Sequence, residues 1–105
     1  MKKIDIQHDI ESLKNRLVEA YAPEKIILFG SAAWGGDEVG DIDVFIIKKG
    51  IPHYGADRVA ELYRLMESEL PVDYIVYTPD EVEKWLALGD PFLKKIMNEG
   101  KVLYG

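Results

Sequence analysis

The chain contains no cysteine. That excludes disulfides, thiolate nucleophiles and cysteine-based zinc sites together. The only histidines, His8 and His53, lie in unrelated segments, match no ligand spacing and read as surface residues. Long apolar runs are also missing. Ile26 to Phe29 and Val44 to Ile47 are the longest, far too short to cross a bilayer, so no membrane association is expected. The opening Met1-Lys2-Lys3-Ile4-Asp5 leads into acids and amides with no apolar h-region, so no signal peptide is visible and the cytoplasm is the expected location. Basic runs stop at a Lys-Lys pair, and the formal net charge is −6. Nucleic acid is bound largely by neutralising phosphates with Lys and Arg, so direct nucleic-acid binding is not expected. A small anionic substrate stays open, because a bound metal can reverse the local charge. Amides are scarce, with only Gln7, Asn15 and Asn98 present. Beside plentiful Lys and Glu, that leans towards a heat-tolerant source.

What is present is enough for one domain, residues 1–105. A chain this long buries roughly two-thirds of its unfolded surface, which leaves no room for a separate substrate domain. An active site must lie on an open face or be completed by a partner.

The apolar spacing predicts a helix over 9–21, with Asp9 as N-cap. Lys25 to Phe29, nearly all apolar between Pro23 and Gly30, reads as a strand buried on both faces. Residues 30–40 form a glycine-rich loop with a helical turn after Ser31. Asp41 to Ile47 reads as a second strand, Ala56 to Glu69 as a second amphipathic helix, and Val72 to Tyr77 as a third strand. Thr78 and Glu81 form a capping box at the start of a third helix. A fourth helix begins at the Gly89-Asp90-Pro91 break, runs to about Asn98 and stops at Gly100. Val102-Leu103-Tyr104 adds a short edge strand. The predicted class is α+β, a small mixed sheet flanked by about four helices.

Asp41 and Asp43 stand two apart on a predicted strand, so both carboxylates point the same way while Ile42, Val44 and Ile46 point into the core. Aspartate is a poor strand former, and like charges side by side lower stability. A hard divalent cation between them removes that repulsion, and Mg²⁺ takes one or two carboxylates with phosphate oxygens and water completing its shell. Asp73, second in the apolar strand Val72-Asp73-Tyr74-Ile75-Val76-Tyr77, is the third candidate. Three such acids on neighbouring strands suit two metals about 4 Å apart, the arrangement of in-line phosphoryl and nucleotidyl transfer. Gly30-Ser31 directly follows a buried strand. There a glycine lets a phosphate approach the backbone, and the hydroxyl and nearby amides face it.

The bland alternatives are that Asp41 belongs to a solvated turn after Gly40 and that Asp73 is an exposed strand start after Pro71. Trp34 reads equally as a stacking surface for a base, an anchored loop residue or a partner contact. Lys48 and Lys49 read as caps of a strand end, Arg58 and Arg64 as the solvated face of their helix, and Trp85 and Tyr104 as core or interface. Asp37 and Glu38 read as solvated.

The segments Gly30-Ser31-Ala32-Ala33-Trp34-Gly35, Gly40-Asp41-Ile42-Asp43-Val44 and Val72-Asp73 resemble the minimal nucleotidyltransferases of the polymerase-β-type superfamily. The resemblance covers nearly the whole chain, including the closing Asn98-Glu99-Gly100-Lys101-Val102-Leu103-Tyr104. It implies a mixed sheet flanked by helices, with nucleotide phosphates on Gly30 and Ser31. It also implies Mg²⁺ on Asp41 and Asp43, joined by Asp73, which assists the incoming hydroxyl, and ATP as substrate. Members commonly act as antitoxins beside a helical HEPN-domain ribonuclease toxin, transferring AMP onto one of its tyrosines. Two departures stand out: many members have Arg where this chain has Trp34, and Ser where it has Gly40. The resemblance therefore leaves open a catalytically weak module that neutralises a partner by association, and a subunit lending carboxylates to a larger assembly.

Overall fold

The computed structural model describes residues 1–68 and 70–105. Ile6, Ile10, Leu13, Leu17 and Tyr21 recur at three- and four-residue steps, and that buried stripe makes α1 run from Lys3 to Tyr21. The helix starts six residues before the Asp9 cap expected from sequence. Its first turn is held from outside: the Lys3 N–H donates to the Asp37 carbonyl (2.8 Å) and the Val39 N–H to the Met1 carbonyl (2.7 Å). Ala22, at a φ of 51° before Pro23, ends it.

Strand β1 spans Lys25–Phe29, the short helix α2 Ser31–Trp34, and β2 Ile42–Ile47. Helix α3 covers Gly55–Leu65, β3 Val72–Tyr77, α4 Pro79–Ala87, α5 Pro91–Glu99 and β4 Lys101–Tyr104. Asp41 falls just outside β2. Helix α3 stops at Leu65, where Met66 turns extended. Its expected end at Glu69 lies outside the described residues. The sheet order is β3-β2-β1-β4, with β2 and β3 parallel and the other pairs antiparallel. The α+β reading with a mixed sheet holds, and α2 makes the helices five among the described residues.

Alternation along the strands divides the core. Ile26, Leu28, Ile42, Val44, Ile46, Val72, Tyr74 and Val76 face α1 and α3. Ile27, Phe29, Phe45, Ile47, Ile75 and Tyr77 face α4 and α5. A sheet covered on both faces explains the continuous apolar runs of β1 and β2.

Strand β3 is a sheet edge, and α3 closes it. The carbonyls of Pro71 and Tyr77 accept from β2-side amides of Ile42 and Lys48, so the even-numbered carbonyls of β3 point outwards. Tyr63 donates its hydroxyl to the Val72 carbonyl at 2.8 Å, and Arg58 Nη1 donates to the Val76 carbonyl at 2.9 Å. An edge capped this way offers less to a foreign strand.

Arg58 corrects the sequence reading. It is 5% exposed rather than solvated, and it also bonds the carbonyls of Pro52 and His53 and both oxygens of Glu81. The expected capping box is present: Thr78 accepts from the Glu81 N–H and Glu81 from the Thr78 N–H. Burial pushes the Glu81 carboxyl up, but the bonds from Arg58 and Thr78 outweigh it and hold it below its ordinary value. Lys48 caps the end of α1, not of a strand, through the Tyr21 and Ala22 carbonyls. Trp85 and Tyr104 are not core, both being exposed. No helix among the described residues is long and apolar enough to cross a membrane.

Candidate active site

The sheet register decides which side chains meet. Phe29 pairs with Asp43 across β1 and β2, and Asp43 pairs with Asp73 across β2 and β3. These residues share the parity of Phe45, Ile47, Ile75 and Tyr77, so Asp43 and Asp73 stand on the α4–α5 face. Paired strands lie about 4.8 Å apart, so the two carboxylates are immediate neighbours. Asp41, exposed and just before β2, adds its charge from the adjoining turn.

The field of these acids is felt on two groups. The Asp43 carboxyl is raised above its ordinary value, first by burial and then by the negative charges of Asp73 and Asp41. The Tyr63 phenol is raised by burial and by the same two aspartates. Among the described residues no Lys or Arg forms an ion pair with Asp41, Asp43 or Asp73. Uncompensated like charges at a sheet end are the condition a hard cation relieves.

Gly30 is shaped for this neighbour. It has φ 68° and ψ −154°, a region open essentially to glycine alone. A Cβ built there would stand 2.1 Å from Asp43 Oδ2, so the carboxylate lies directly against the glycine backbone. Ser31 opens α2, whose Ala33 and Trp34 amides turn back to the Gly30 carbonyl. Ser31 Oγ accepts the Gly40 N–H at 3.2 Å, which fastens the Gly40-Asp41 turn to the Gly30-Ser31 turn and leaves the hydroxyl proton available. The intervening loop is tied to α1: Lys3 Nζ donates to the Gly35 carbonyl (2.9 Å), and Lys2 pairs with Glu38 (2.9 Å). Glu38 is thus paired, not merely solvated, and the Lys2 bond holds its carboxyl below the ordinary value.

The donor set consists of hard carboxylate oxygens and suits Mg²⁺. Among the described residues, no group of three or more His, Cys, Asp or Glu side chains is placed to hold an ion by itself. A cavity of about 370 Å³ lies elsewhere, lined by residues of α1, α2, β1 and β4, Ile10 and Val102 among them. It offers no comparable convergence of acids. The acid row itself is an open shelf.

Beyond Phe29 the shelf meets an aromatic wall. The Trp34 ring lies 6.1 Å from that of Phe29, and Phe92 of α5 meets Phe29 edge-on at 5.7 Å. Lys95 Nζ sits 4.8 Å from the centre of the Trp34 ring. Of the three readings open for Trp34, an anchored residue describes its packing. Phe92 and Lys95 were not singled out from sequence; nothing local links positions 92 and 95 to position 34.

The nucleotidyltransferase domain model matches residues 10–104. The chain belongs to the nucleotidyltransferase domain family. Among solved structures, this nucleotidyltransferase domain is similar to a Sulfolobus solfataricus protein provisionally named a nucleotidyltransferase. The two are 30% identical with a TM-score of 0.59, over 78% of each chain. No curated protein matches significantly. Nucleotidyl transfer is thus the general activity of the domain.

Proposed function

We propose that this nucleotidyltransferase domain moves AMP from ATP to a hydroxyl of a protein partner, with Mg²⁺ held by Asp41, Asp43 and Asp73. The observation that carries the reading is the Asp43–Asp73 register, set against the backbone of Gly30. When bound, Mg²⁺ neutralises phosphate charge and aligns the attacking and leaving oxygens. Asp41 and Asp43 orient the α-phosphate, while Gly30 and Ser31 receive the phosphates beyond it. Asp73 accepts the proton of the incoming hydroxyl. The acceptor oxygen bonds to the α-phosphorus, the bond to the bridging oxygen breaks, and pyrophosphate leaves with its electron pair. Positioning and electrostatics supply most of the rate.

The acceptor we favour is a tyrosine of a helical HEPN-type toxin, which makes the chain an antitoxin. Incubation with labelled ATP, Mg²⁺ and the protein encoded next door tests this. Label should move to that protein; transfer that survives Asp41→Asn with Asp43→Asn would sink the proposal.

A second reading rests on exposed apolar side chains. Trp85, Leu88 and Phe92 stand on α4, α5 and the turn between them, and Leu88 is 68% exposed. Such a surface suits a module that silences its partner by association alone. Calorimetry separates the two readings: intact partner binding without any Mg·ATP binding favours association.

A further inference from the structure

Asp73 stands where the sheet is easily opened. It is the second residue of β3, which lies at a sheet edge, and among the described residues only β2 pairs with that strand. The end of an edge strand opens more readily than its middle. This end is also pushed. The register sets Asp73 beside Asp43, whose carboxyl feels the charges of Asp73 and Asp41. Until a cation arrives, like charges drive the first residues of β3 away from β2.

Tyr63 supplies an opposing hold. Its hydroxyl donates to the Val72 carbonyl at 2.8 Å. A trans peptide is planar, so the Val72 carbonyl and the Asp73 N–H move as one unit. The carbonyl points outwards to Tyr63, and the N–H points back towards β2. The peptide that carries Asp73 is thus gripped from both sides. Tyr63 is itself braced: it rises from α3, and its ring meets that of the buried Tyr74 edge-on at 5.4 Å. Its phenol is raised above the ordinary value, first by burial and then by Asp73 and Asp41, so it keeps the proton it donates. The bond from Arg58 to the same edge reaches the Val76 carbonyl, towards the far end of the strand. We propose that Tyr63 is a positioning residue for Asp73, its hydroxyl keeping the third carboxylate beside Asp43 against their repulsion. Tyr63 touches neither metal nor nucleotide and acts through the Val72–Asp73 peptide. The inference rests on the proposed site, in which Asp73 joins Asp41 and Asp43 in holding Mg²⁺.

Calorimetric titration with Mg·ATP tests it on the wild type, Tyr63→Phe, Asp73→Asn, the double variant and Tyr74→Phe. Phenylalanine at position 63 keeps the ring and removes the bond. Tyr63→Phe should weaken Mg·ATP binding about three- to tenfold, as the loss of one hydrogen bond implies. In the Asp73→Asn background, where the repulsion is gone, the same change should make no further difference. Tyr74→Phe removes a buried hydroxyl that makes no hydrogen bond and should bind as the wild type does. With Mn²⁺ in place of Mg²⁺, the electron paramagnetic resonance spectrum of bound Mn·ATP should move in Tyr63→Phe towards that of Asp73→Asn. Unchanged affinity in Tyr63→Phe overturns the assignment and leaves the proposed site intact. So does a loss that adds in full to that of Asp73→Asn, or one that comes with a wild-type spectrum. A wild type that binds no Mg·ATP removes the proposed site and this inference together.

Discussion

Gly30 answers two constraints at once. Its φ of 68° and ψ of −154° suit no side chain, and the space a Cβ would occupy holds the Asp43 carboxylate. Gly30→Ala should therefore cost about 1–3 kcal/mol of stability, read from urea unfolding, and should displace Asp43 from its place. Asp43 itself illustrates function maintained against stability. Its carboxyl is raised by burial and by Asp73 and Asp41, so ionising it near neutral pH opposes folding. Asp43→Asn should stabilise the metal-free protein by about 0.2–1 kcal/mol, while nucleotidyl transfer is lost. A melting temperature that falls on that substitution would contradict the electrostatic account. Asp43 was readable beforehand because a carboxylate inside an apolar strand, two residues after another, has no structural use; the strand itself starts one residue later than expected and leaves Asp41 in the turn before it. Asp73 needed the parallel β2–β3 register before its partnership with Asp43 could be stated. Lys95 and Phe92 were unreadable because their relation to the site runs through Trp34 and Phe29, across about sixty residues of chain.

At the scale of elements, β3 and its cover depend on Arg58. Arg58→Ala leaves the outward Val76 carbonyl and the Glu81 carboxylate without their donor, and should cost about 2–4 kcal/mol. The pH dependence follows from Glu81, whose carboxyl is lower in the folded state than its ordinary 4.5. The unfolded chain then binds that proton more readily. The stabilisation is full above the ordinary value and is lost as pH falls through the lower folded value. Comparing acid unfolding of the wild type with Glu81→Gln should show this part of the decline missing from the variant. Strands β1 and β3 and the capping box of α4 were legible because Pro, Gly and Thr punctuate them locally. The start of α1 was not: its first turn is held by Asp37 and Val39, and Asp9 offered a plausible cap too late. The burial of Arg58 was hidden for the same reason, since helical spacing cannot show that its side chain reaches over a sheet edge.

At the scale of the molecule, one sheet buried on both faces leaves the candidate site residues at one end of the strands, with Trp85, Leu88 and Phe92 exposed on the α4–α5 side. The mixed strand order was not readable from chain order, since the same succession of elements permits several sheets. Trp85→Ser with Leu88→Ser should weaken partner association in pull-down or calorimetry while Mg·ATP affinity stays unchanged.

The central claim is a nucleotide site built on Asp41, Asp43 and Asp73, and its most direct test is ATP binding measured by calorimetry with Mg²⁺ and again with excess chelator. Binding should require Mg²⁺ in the wild type and disappear in Asp43→Asn with Asp73→Asn, while the variant remains folded. ATP binding that is indifferent to the metal, or that survives loss of both carboxylates, would contradict it.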